Sequence, residues 1–81
     1  MDIITRYKFI HFERISHYSL GWMVRNNRTR EILGRISYYR PWKQYCFSPH
    51  QLGPGTELIF SAECLADIQD FLTKATTLDH D

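Results

Sequence analysis

Residues 61–74 read Ser61-Ala62-Glu63-Cys64-Leu65-Ala66-Asp67-Ile68-Gln69-Asp70-Phe71-Leu72-Thr73-Lys74, and this stretch decides the fold. Leu65, Ile68 and Leu72, with Cys64 and Phe71 beside them, recur at helical spacing and form one apolar stripe. Ser61 suits an N-cap, because its hydroxyl accepts an orphan amide of the first turn. Glu63 complements the positive end of the helix dipole, and Lys74 falls in the last turn, on the favourable side. Glu63, Asp67 and Asp70 take the outer arc. The spacing predicts a helix from about residue 62 to about residue 75, then a frayed polar tail over 76–81. A charge at Leu65 or Ile68 is expected to unfold the chain, since either would be buried without a partner.

Upstream of this helix the period changes from helical to alternating. Ile3 to Phe12 reads as a first strand, and residues 13–18 break the pattern. Leu20 to Arg25 reads as a second, with Leu20, Trp22 and Val24 on one face and Met23 and Arg25 on the other. Asn26-Asn27-Arg28-Thr29 is a turn, because Asn tolerates positive φ and bonds its own backbone. Ile32 to Tyr39 is the third strand. Arg40-Pro41-Trp42 interrupts the ladder, since proline has no amide donor. Lys43 to Ser48 is the fourth strand, with Lys43, Tyr45 and Phe47 opposed to Gln44 and Cys46. Pro49 ends it. A short fifth strand is expected over Glu57–Phe60. The fold class expected is α+β: an antiparallel four- to five-stranded sheet packed against one C-terminal helix, residues 1–75 forming a single domain.

Length and composition agree. The chain has 81 residues, 43% hydrophobic and 23% charged, which is one core's worth and no more. Its 15% aromatic content argues against disorder. Apolar runs are too short for a membrane span, and the opening Met1-Asp2-Ile3-Ile4-Thr5-Arg6 lacks a basic n-region. Two cysteines are too few for a disulfide scaffold. The expectation is a reduced cytoplasmic protein.

A net charge of +1 hides a split between the two halves. Residues 1–43 hold nine of the ten Lys and Arg against three carboxylates, and residues 44–81 hold Lys74 against six. Attraction between the halves is one consequence, through modest surface pairs. The other is a basic surface open to an anionic ligand. One helix covers only one face of such a sheet. Trp22, Val24, Ile36 and Phe47 should meet Leu65, Ile68 and Phe71. The uncovered face should collect Arg6, Lys8, Met23, Arg25, Arg35 and Gln44, as a binding surface or a homo-oligomer interface.

Few residues suggest reaction chemistry. Cys46-x3-His50 with Cys64 gives three zinc-ligand types but only one short-spaced pair, so no metal is expected. The four histidines are scattered, no Gly-x-Ser-x-Gly elbow occurs, and Gly53-Pro54-Gly55 lacks the spacing of a phosphate loop. No enzyme activity and no cofactor are expected. The densest segment is Tyr38-Tyr39-Arg40-Pro41-Trp42-Lys43-Gln44-Tyr45. Flat rings stack on a base while Arg and Lys pair with phosphate oxygens. Equally, Trp42 and Tyr45 suit core or rim positions.

Trp22-Met23-Val24-Arg25-Asn26, Thr29, Leu33-Gly34-Arg35-Ile36, Trp42 through Pro49, Phe60, Cys64 through Ile68, and Phe71 together resemble a pattern in small proteins of tailed phages and prophages. The resemblance spans roughly 50 of 81 residues and departs in a longer Gln51–Gly55 loop. It implies a host-defence antagonist that acts by binding alone, in the host cytoplasm. The function expected is sequestration of a small anionic nucleotide-like immune signal, with ring stacking by Tyr39, Trp42 or Tyr45 and phosphate contacts from Arg25, Arg35, Arg40 or Lys43. Two alternatives stand beside it. One is a protein-binding antagonist whose acidic helix face (Glu63, Asp67, Asp70) mimics nucleic acid; the other is a single-stranded nucleic-acid binder. A homo-oligomer, most simply a dimer, is expected to close the ligand pocket.

Overall fold

A computed structural model describes residues 4–15, 21–51, 53–55 and 57–78. Four strands, β1 (Ile10–Arg14), β2 (Trp22–Asn26), β3 (Ile32–Tyr39) and β4 (Gln44–Pro49), form one antiparallel sheet in sequence order. A single 3-10 turn, Arg40–Trp42, joins β3 to β4, and helix α1 (Ala62–Leu78) packs on one face. The α+β class follows from these elements. Leu20 and the beginning of the expected first strand at Ile3 lie outside the described residues, as does the tail over 79–81.

The covered face holds the core. Ile10, Phe12, Val24, Leu33, Ile36 and Tyr45 from the sheet meet Ile68, Phe71 and Ala75 from α1. Phe71 is central: its ring stacks on Phe12 at 3.9 Å between centroids and lies nearly perpendicular to that of Trp22 at 5.1 Å. Such ring pairs add about 0.5–1.5 kcal/mol each beyond area burial.

Five expectations need correction. The first strand does not run from Ile3 to Phe12; the chain bends at Lys8-Phe9, so that Arg6 lies opposite His11, and β1 continues to Arg14. Asn27 holds this bend. Its side-chain amide donates to the carbonyls of Tyr7 (2.8 Å) and Lys8 (3.2 Å), leaving its oxygen to accept from His11 Nδ1 at 2.6 Å. Alternation cannot reveal a bend latched by a residue on another loop. In the β2–β3 turn, Asn26 Oδ1 accepts from the amides of Arg28 and Thr29, yet the left-handed position falls to Arg30 (φ 66°) rather than to an Asn.

Glu57–Phe60 is not a strand. Its alternation is real, with Leu58 and Phe60 packed against the core and Ile59 exposed, but no ladder forms there. Leu65 is not a core residue: it is 53% exposed, one step round from the Cys64, Ile68, Phe71 and Ala75 stripe that meets the sheet. Finally, α1 runs to Leu78, so the expected tail begins inside the helix and Lys74 stands a turn short of its end. There it pairs with Asp70 at 2.9 Å. Ser61 does cap the helix, its Oγ accepting the Cys64 amide at 3.1 Å.

Asp70 also accepts the Tyr7 hydroxyl at 2.7 Å, tying the N-terminal segment to the helix. Lys74 first, and Tyr7 second, hold the Asp70 carboxyl below its ordinary value, and Arg25 followed by His11 does the same for Glu13. Burial, then the bond to Asp70, pushes the Tyr7 phenol up. A depressed carboxyl stabilises fully above its unfolded value, about 4, and the contribution is lost as pH falls through the lower folded value. A raised phenol stabilises below about 10 and loses that contribution as pH rises further. Melting temperature is therefore expected to fall on both limbs. Tyr7→Phe should flatten the alkaline limb and Lys74→Met only the acid one. An unchanged alkaline limb in Tyr7→Phe would show that the phenol bond contributes nothing.

Candidate functional site

The β3–β4 hairpin is built from two ladders of opposite character. Pairing sets Tyr38 opposite Tyr45 and Ile36 opposite Phe47. Tyr45 and Ile36 are buried in the core, so this row faces the helix. The alternate row, Arg35 with Ser48, Ser37 with Cys46 and Tyr39 with Gln44, faces away from it. At the tip, Pro41 starts the 3-10 turn and Lys43 takes the left-handed conformation (φ 52°) that lets β4 return.

Tyr39, Arg40, Trp42 and Lys43 come together at this tip. Trp42 is 65% and Tyr39 46% exposed, and their rings meet edge to face at 4.9 Å. That contact orients the rings and leaves most of the indole open. Arg35 lies on the same outer row, four residues along β3 from Tyr39, or about 13 Å at strand rise.

The other two expected site residues are elsewhere. Tyr45 belongs to the core: it is 4% exposed, it packs against Trp22 at 5.5 Å, and its amide donates to the Thr76 hydroxyl at 3.0 Å. No ligand stacks on that ring without unpacking the sheet. Arg25 is on the outer face but is engaged, with Nε donating to Glu13 at 2.8 Å and one terminal nitrogen donating to the Arg30 carbonyl at 2.8 Å. Its charge is neutralised by the neighbouring strand.

Charge bookkeeping separates the hairpin from the rest. Residues 32–51 contain Arg35, Arg40 and Lys43 and not one carboxylate. None of the three takes part in an ion pair among the described residues, whereas Arg25 and Lys74 do. Lys8 and Arg14 lie over the rings of Phe9 and Trp22.

Beside Arg35 the outer face hollows into a cleft of about 500 Å³, with Met23, Ile32 and Pro49 as apolar walls and His50 at its rim. Sequence reading weighed His50 only as a metal ligand. The structure brings it there: Arg35 pairs with Ser48, and His50, just past the end of β4, lies two residues further on. The lining combines apolar side chains with the Arg35 guanidinium and the His50 imidazole. A guanidinium beside Met23 and Ile32 can make charge-assisted bonds to an anion, and the His50 ring adds a polar group to the same lining. Comparison of the chain with protein-family models, with curated proteins and with solved structures gives no match.

Proposed function

We propose that this chain is a non-enzymatic binding protein that retains a small anionic, ring-bearing ligand of the nucleotide kind along the outer face of the β3–β4 hairpin. One observation carries the reading: three cations without a carboxylate among them share this hairpin with the open Trp42–Tyr39 pair. Arg35 and His50 would take a phosphate at the cleft, and Trp42 would take a base at the tip. The span between them suits a dinucleotide-sized molecule better than a mononucleotide. Retention by stacking and charge-assisted bonds needs no nucleophile, in keeping with the antagonist of host defence that the phage resemblance implies.

The acidic-helix alternative is weaker on geometry, because Asp70 is already shared by Lys74 and Tyr7. The test is calorimetric titration with cyclic dinucleotides, ADP-ribose derivatives and short oligothymidylate. Binding of one small nucleotide is expected, with Arg35→Glu and Trp42→Ala each weakening it about tenfold or more, the worth of one charged bond or one stacked base. If no nucleotide binds or raises the melting temperature, the reading is wrong. Steeply salt-dependent binding to oligothymidylate alone would replace it with the single-stranded nucleic-acid reading.

A further inference from the structure

The opposite side of the hairpin carries a second surface of different chemistry. Between the free edge of β4 and helix α1 runs a groove of about 580 Å³. Twelve residues line it and none is charged, in a chain where 23% of residues are. A lining drawn at that frequency would hold about three charges, and interface centres are the places from which charge is depleted. Leu65 lies on this lining at 53% exposure, together with Phe47 and Leu72.

We propose that this groove is the face through which two copies of the chain associate. The argument is self-complementarity. In a two-fold interface each patch meets itself, so any charge near the axis meets its like. This lining avoids that cost. Its polar side chains on α1, Gln69, Thr73 and Thr77 among them, are amides and hydroxyls. Each of these groups both donates and accepts, so each can bond its own copy. Leu65 of each copy enters the groove of the other. A stable pair buries about 800 Å² from each partner, roughly an eighth of this chain's 6279 Å², so the contact extends beyond the groove onto the neighbouring surface of β4 and α1. An acidic, basic or nucleic-acid partner would find no charge here to match. Trp42 lines this groove as well as the hairpin tip, so a pair formed here covers part of the indole assigned to base stacking, whereas Arg35 and its cleft on the outer face stay free.

Sedimentation velocity of the full chain from 5 to about 500 µM tests the proposal, with concentrations set to bracket a micromolar dissociation constant. The expected species is a dimer, twice 9.7 kDa. Gln69→Glu changes shape little and puts a carboxylate at the neutral seam. It should weaken association about tenfold in low salt, and salt should restore most of the loss. Leu65→Asp should give a monomer whose far-ultraviolet circular dichroism is unchanged, and Arg35→Glu should leave the mass as it is. A wild-type monomer throughout the range would overturn the proposal. A dimer unaffected by both Leu65→Asp and Gln69→Glu would also overturn it, by placing the contact on another face.

Discussion

Ile68→Asp is expected to abolish the fold. Ile68 is 4% exposed and lies in the cluster formed by α1 and the covered sheet face. The substitution removes an aliphatic side chain worth about 2–5 kcal/mol and leaves a carboxylate among apolar groups. No described cation belongs to that cluster to pair with it. A domain of this length has only about 4–12 kcal/mol of stability. Far-ultraviolet circular dichroism should show loss of the helix, and urea should produce no cooperative transition. Leu65→Asp is the control: three residues earlier but half exposed, it should cost less than about 1 kcal/mol when measured on dilute, monomeric protein. A cooperative Ile68→Asp transition at the wild-type midpoint would mean that the helix buries a different face.

Gly34→Val is expected to be the next most damaging change. A Cβ built on Gly34 would lie 2.6 Å from Phe47 Cε1 and 2.7 Å from its Cζ, and would also meet the Ser48 carbonyl oxygen. The ring could swing, but the carbonyl belongs to the β3–β4 ladder and cannot move without breaking pairing there. Overpacking typically costs 1–3 kcal/mol, and a clash with backbone belongs at the top of that range, about 3 kcal/mol. Gly34→Ala should cost less, since it adds only the Cβ. Phe47→Leu should recover part of the Gly34→Val loss in a double-mutant cycle, because it relieves the ring contact and not the carbonyl one. Urea midpoints for the four chains decide it. A Gly34→Val midpoint equal to wild type would show that the two strands are not held this close.

The same glycine shows where reading the sequence stops. Alternation alone puts Gly34 on the inner face with Ile36 and leaves Leu33 outside. The register shifts between Val24 and Arg25, so that β3 has one extra residue opposite β2. Leu33 thereby enters the core at 5% exposure. A bulge of this sort is set by pairing with a neighbouring strand, and no property of residues 32–34 announces it. The break at Arg40-Pro41, by contrast, was legible because proline acts locally: it removes a donor and fixes φ whatever surrounds it.

The candidate site divides along the same line. Grouping Tyr39, Arg40, Trp42 and Lys43 needed only their closeness in sequence, and the 3-10 turn keeps them together. For Tyr45 the sequence leaves a ligand contact and a core position equally open, and the ladder decides it: three residues along from the exposed Trp42 its ring turns inward onto Trp22. Arg25 was misjudged because its acid, Glu13, sits on a strand that the first-strand reading ended at Phe12.

By itself the sequence determined the α+β class, the meander order, the third strand, the N-cap at Ser61 and the inward set of Trp22, Val24, Ile36, Phe47, Ile68 and Phe71. Each rests on interactions within a few residues or on a period that one buried face imposes on one element. The tertiary structure alone decided the bend at Lys8-Phe9, the exposure of Leu65, the entry of Leu33 into the core, and which cations remain without a carboxylate. These depend on Asn27 reaching Tyr7, on where α1 crosses the sheet, on a register shift and on Glu13 meeting Arg25. Each is a contact between segments distant in the chain, and its energy does not exist until folding brings the segments together.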